Sequence, residues 1–214
     1  MSFIKENDDN KDVDYGFYND PVWLDRKTKE IASTDINILS DNEKLAFYIN
    51  AYNILTVWAV RKKLKKNPSW KGNTSYIRKI KFFYLSKYVV AGKKINLYNL
   101  ENKILRKKFN EPRIHFAINC ASISCPPLPN KIISAENIHS QLDLLTSNFI
   151  NDGVNVKYNK KQNILEVNSI FKWYEKDFKG QGGILLFIKN HLSKNIINER
   201  TKLKFLPYNW NLKI

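Results

Sequence analysis

With 214 residues, 43% of them hydrophobic and 13% aromatic, the chain is long enough to bury a core and too rich in Phe, Tyr and Trp to be intrinsically disordered. Its net charge of +16 rests on 36 basic residues, overwhelmingly Lys scattered among Asn and Ile, so non-specific attraction to an anionic surface or polymer is expected. Sequence-specific nucleic-acid binding is not expected, because it favours the planar fork of Arg.

Residues 1–13 are polar and acidic and are read as a loose N-terminal segment without an apolar signal core, so a cytoplasmic location and export after loss of a leader both stay open. Apolar runs such as Ile184 to Ile188 are far too short to span a bilayer. Pro21 opens a short helix near 21–33. Ser40 and Glu43 form a capping box ahead of a central helix at about 41–65 that is apolar on nearly all faces. Asn50 and Asn53 interrupt it, three apart on one face. They either tie loop backbone to the helix or line a polar site. Asn67-Pro68 ends the helix.

Phe82-Phe83-Tyr84 and Tyr88-Val89-Val90 favour strands, with a turn at Ala91-Gly92-Lys93. Asn96 caps a helix near 97–109, with Glu101 beside its apolar stripe. Ile114 to Asn119 reads as a strand that empties into a loop holding both cysteines and ending at Pro126-Pro127. Ser134 is expected to cap a helix near 135–150. Residues 154–158 and 164–168 form a hairpin, Ser169 opens a short helix, 184–193 form an amphipathic helix, and Leu203 to Tyr208 form a last strand. With no repeat or linker, residues 14–214 read as a single α+β domain, mostly antiparallel sheet packed against several helices.

Several segments match a known family in order. Phe47-Tyr-Ile-Asn-Ala-Tyr-Asn53, Leu100-Glu-Asn-Lys-Ile-Leu-Arg106, Pro112-Arg-Ile-His-Phe-Ala-Ile-Asn-Cys-Ala-Ser-Ile-Ser-Cys-Pro-Pro-Leu128, Ile170-Phe-Lys-Trp-Tyr-Glu-Lys-Asp-Phe178 and Tyr208-Asn-Trp-Asn-Leu212 resemble the motifs of the domain of unknown function 547 (DUF547) family. The resemblance runs from about Asp14 to Leu212. Tyr48 stands where the family commonly has Trp, which keeps an aromatic body. The resemblance implies a domain and not a reaction. Members also occur inside larger proteins, so either a substrate or a protein partner is compatible with it.

The residues themselves offer thiol chemistry. Cys120 or Cys125 is a candidate nucleophile, His115 the base, and Glu101 or an Asn of the central helix the group that orients it. Backbone N–H groups from Ala121 to Ser124 are candidate oxyanion donors. Asn50, Asn53, Asn119 and Arg113 are candidates for lining a polar substrate site. Strand alternation sets Cys120 opposite His115, so they meet only if the chain turns at Asn119 or Cys120. The tentative activity is a thiol-dependent hydrolase or acyl transferase acting on an amide or ester. The alternative is a non-catalytic binding or scaffold domain, with a structural Cys120–Cys125 pair, packed thiols or a core histidine. No cofactor or metal is expected: the histidines are dispersed and no Cys-X-X-Cys occurs.

Overall fold

In the computed structural model, which describes residues 20–194 and 196–213, the central helix runs from Asp41 to Lys66 (α2). The loose segment expected at 1–13 lies outside the described residues. The capping box forms: Ser40 Oγ accepts the Glu43 N–H at 3.4 Å, and the Glu43 carboxylate accepts the Ser40 N–H at 2.8 Å. Such a cap stabilises a helix by about 1 kcal/mol. Every side chain from Leu45 to Thr56 is buried, so this half of α2 is a rod inside the protein. Lys63, Lys65 and Lys66 complement the helix dipole at the other end. Helix Pro21–Ser33 (α1), capped by Asp20, lays Leu24 and Ile31 on this rod.

The segment predicted as strand at Phe82–Tyr84 is helical. Tyr76–Lys79 (α3) continues as a π-helical turn over Ile80–Leu85. Ser75 caps it, and Phe82 is buried between Trp70 and Phe83, so packing overrides the β preference of aromatic residues. The hairpin follows as expected, Lys87–Val90 (β1) pairing with Lys93–Asn96 (β2). Its turn residues Ala91 and Gly92 have φ of 49° and 74°, and their N–H groups bond the carbonyls of Ile31 and Ala32. The helix predicted at 97–109 is built of Leu97–Asn99 (α4), a second π turn at Leu100–Leu105, and Arg106–Phe109 (α5).

Ile114 to Asn119 is not a strand. Pro112–Phe116 is a 3-10 helix, started by Pro112 and by the Glu111 carboxylate, which accepts the Arg113 N–H at 3.1 Å. Alternation therefore does not govern which side chains face together: Ile114, His115 and Phe116 are all buried. The reason lies in packing, since this turn sits between two cores. Ile114, Ala117 and Ile118 join the α2 core, whereas Phe116 packs against Phe149, Phe171 and Phe187.

The second core is closed by helix Ile138–Asn151 (α6) and by a small sheet. Helix α6 starts later than predicted, with Ser134 accepting the Asn137 N–H before the first turn. In the sheet, Val156–Asn159 (β3) and Ile164–Val167 (β4) are antiparallel, while Lys202–Phe205 (β5) adds to β4 in parallel. Ser169–Trp173 (α7), a 3-10 helix at Glu175–Gln181 and Ile184–His191 (α8) complete this half. The fold is a single α+β domain with two small sheets.

Candidate functional site

Asn53 fixes the start of the thiol loop. From inside α2 its Nδ2 donates to the Ala117 carbonyl at 2.8 Å, and its Oδ1 accepts the Asn119 N–H at 2.9 Å. Asn50 grips Ile133 in the same two-pronged way, at 2.8 and 2.9 Å. Both helix asparagines therefore tie loop backbone to the core, and neither lines the cleft described below. Asn119 repeats the device within the loop, accepting the Ala121 N–H and donating to the Pro126 carbonyl. The chain turns sharply here, with Ala121 at φ 62°, a left-handed conformation that costs an L-residue about 1–2 kcal/mol.

The C-terminal segment lies along this loop. The N–H groups of Ile123 and Ser124 donate to the carbonyls of Asn211 and Asn209, and Leu212 donates to Lys71. The expected oxyanion donors are thus corrected: the N–H groups of Ala121, Ile123 and Ser124 are already committed.

The turn presents Cys120, half-buried, to a cleft of about 630 Å³ that Cys125, His115 and Glu101 also line. Two aromatic groups border it. Tyr84 stacks on Tyr98 at 4.2 Å, and Trp173, Tyr208 and Trp210 pack together at 4.6–5.6 Å. Lys79 lies 3.6 Å from the Trp210 ring centre.

Both thiols are free. Cys120 Sγ lies 3.0 Å from Ser122 Oγ and 3.4 Å from the Tyr208 hydroxyl, and the Cys120 N–H donates to Cys125 Sγ at 2.9 Å. Hydrogen bonding from Cys125, helped by Ser122 and Tyr208, overcomes burial and lowers the Cys120 pKa to about 7. Burial pushes the Cys125 thiol well up, and the neighbouring Cys120 charge adds to this. Of the two thiols, Cys120 is the nucleophile candidate.

The carboxylate on His115 is Asp177, not Glu101. His115 Nε2 lies 2.7 Å from Asp177 Oδ2, and Arg106 grips the same carboxylate at 2.6 and 2.9 Å. Burial works against ionised Asp177, but the bonds from His115 and Arg106 prevail and hold its carboxyl well below the usual range. An ionised carboxylate only accepts, so Nε2 carries the proton and Nδ1 of the neutral ring is bare. Nδ1 is buried without a partner, and the ring makes no hydrogen bond to either thiol. The ring stacks on Tyr174 at 3.9 Å. Glu101 stands behind that stack: it is buried and accepts from Tyr52 at 3.1 Å and from Tyr174 at 2.5 Å.

Arg113 points elsewhere, pairing with Glu111 and Asp143 on the far side of the 3-10 turn. Among the described residues, no three His, Cys, Asp or Glu side chains are grouped to hold a metal ion, and no helix is long and apolar enough to cross a membrane. Sequence reasoning missed Asp177, Tyr174, Tyr208 and Ser122 as site residues. The signal was present in part, because Tyr174, Asp177 and Tyr208 fall inside two of the ordered motifs.

No curated protein and no solved structure matches this chain. A family model does, over residues 36–150, a span that holds Asn53, Glu101, His115 and both cysteines while Tyr174, Asp177 and Tyr208 lie beyond it. That match covers more than half the chain and includes its thiol loop, and on it the protein belongs to the DUF547 family, described as proteins of unknown function.

Proposed function

We propose that the domain is a thiol-dependent acyl-transfer or hydrolytic enzyme acting on an ester or amide, with Cys120 as nucleophile and His115, oriented by Asp177, as base and acid. One observation carries this reading: a cysteine of lowered pKa and a carboxylate-held histidine line the same cleft. In unliganded enzymes such partners often stand too far apart to bond and tighten only around substrate.

His115 Nδ1 takes the Cys120 thiol proton, and the resulting thiolate attacks the carbonyl carbon. A C–S bond forms, and the π electrons move to oxygen. As sulfur loses its charge, the Tyr208 hydroxyl, itself held by the Ser122 hydroxyl, is released to donate to the new oxyanion two bonds away. Collapse expels the amine or alcohol, which takes a proton from His115. In the second half, water or an acceptor hydroxyl gives its proton to Nδ1 and attacks the thioester, freeing Cys120. Asp177 stabilises the imidazolium each time it forms. The aromatic border favours an acyl donor carrying a ring or flat group.

The test uses an activated aryl ester with intact-mass detection. A single acyl adduct on Cys120 is expected, turned over by the wild type and accumulating in Asp177→Asn. Equal release of the aryl alcohol by Cys120→Ala would remove the proposal.

A further inference from the structure

We propose that Cys120 is an oxidation site for hydrogen peroxide and that Cys125 is its resolving thiol, so that a reversible disulfide can form across the loop lining the cleft. The inference needs only the two sulfurs and their surroundings, and stands apart from the acyl-transfer reading.

Three observations carry it. The second sulfur sits against the backbone of the first cysteine, since Cys125 Sγ accepts the Cys120 N–H at 2.9 Å. Their exposures differ: Cys120 is half-buried at the cleft, whereas Cys125 is 6% exposed. An oxidant from solvent therefore meets Cys120 first. The loop is also tied at its base, since Asn119 bonds both Ala121 and Pro126 and the Cys125 N–H bonds the Ser122 carbonyl at 3.0 Å. The tie keeps the second thiol beside the first, as a resolving cysteine must be. The hydroxyls of Ser122 and Tyr208 that favour the thiolate supply the form that reacts with peroxide.

The chemistry balances. The Cys120 thiolate attacks one peroxide oxygen; an S–O bond forms, the O–O bond breaks, and the departing hydroxide takes up a proton as water. Cys125 sulfur then attacks Cys120 sulfur. The S–S bond forms, the S–O bond breaks, and hydroxide leaves with the Cys125 proton as a second water. Two electrons pass from the thiols to the peroxide. An external dithiol reverses the change by exchange.

The test treats fully reduced protein at pH 7 with equimolar hydrogen peroxide and reads intact mass, free thiols and capture by dimedone. The wild type should lose two hydrogens and both thiols, as a monomer, and recover both with dithiothreitol. Cys125→Ala should instead gain one oxygen on Cys120 and become dimedone-reactive, with Cys125→Ser as the substitute should the alanine variant not fold. Oxidation of the folded protein should run at least about tenfold faster than of the urea-unfolded chain. Successive oxygen gain in the wild type with Cys125 still free would overturn the proposal. So would a disulfide between two molecules, or a rate equal to that of the unfolded chain.

Discussion

His115 Nε2 and Asp177 Oδ2 lie 2.7 Å apart, across 62 residues of sequence, and this pair fixes which imidazole nitrogen is bare. Asp177→Asn preserves the shape and reverses the logic: its amide N–H can face Nε2 and turn the proton to Nδ1. Acyl transfer should fall by roughly 10²–10⁴-fold, with the folded structure kept. Asp177 also carries a pH signature. Its folded pKa is depressed, so its stabilisation is present above the ordinary carboxylate range and is lost as pH falls towards the folded value. The stability gap between wild type and Asp177→Asn should therefore shrink between about pH 5 and pH 2 in urea titrations. A constant gap would show that the carboxylate is not held ionised by His115 and Arg106.

Cys120 should label with iodoacetamide along a pH curve centred at about 7. Tyr208→Phe and Ser122→Ala each remove a hydroxyl near its sulfur and should move the midpoint upward, towards the ordinary cysteine value of about 8.5. At pH 7 the labelling rate then drops several-fold. Unchanged midpoints in both variants would refute this account of thiolate stabilisation.

Asn53→Ala strips partners from the Ala117 carbonyl and the Asn119 N–H, both inside the protein. A loss of about 2–4 kcal/mol is expected in chemical denaturation, since each buried unpaired group costs about 1–3 kcal/mol. Asn50→Ala should cost a similar amount through Ile133 but leave the Cys120 labelling midpoint in place. Equal effects of the two variants on that midpoint would contradict the assignment of Asn53 to the thiol loop.

Gly72→Ala tests the seating of the C-terminal segment. Gly72 has φ +97°, and a Cβ there would meet Leu212 N at 2.6 Å and the Trp210 carbonyl at 2.9 Å, both backbone atoms that cannot swing aside. A destabilisation of about 1–3 kcal/mol is expected, together with slower Cys120 labelling at pH 7 as Tyr208 loses its place. Wild-type labelling in a destabilised variant would separate the segment from the thiol.

The central helix was legible because its signals are local: Ser40 and Glu43 cap it, the apolar run is unbroken, and Asn67-Pro68 stops it. The same locality misled at Phe82–Tyr84, which is helical with Phe82 and Phe83 on the α2 core, and at Ile114–Asn119, which begins as a 3-10 turn set between two cores. Glu101 and the asparagines were visible as polar interruptions of apolar stripes, but their partners were not. Tyr174 finds Glu101 across 73 residues and Asn53 finds Asn119 across 66, and no spacing rule reaches that far. His115 and the cysteines were picked out by residue type alone. What separated Cys120 from Cys125 was exposure and the hydroxyl of Tyr208, both products of tertiary packing.

The contact between Ser122 and Tyr208 spans 86 residues, and it sets an order of events during synthesis. When α6 has left the ribosome, Asn53 can already hold the thiol loop against the central helix. Neither the His115 carboxylate, Asp177, nor the Tyr208 hydroxyl has yet been made. A nascent chain, which grows by about 5–20 residues per second, therefore carries its cysteine for seconds without either group. The Tyr208 hydroxyl reaches the sulfur only when the last aromatic residues dock, so the site is complete after the chain around it has folded.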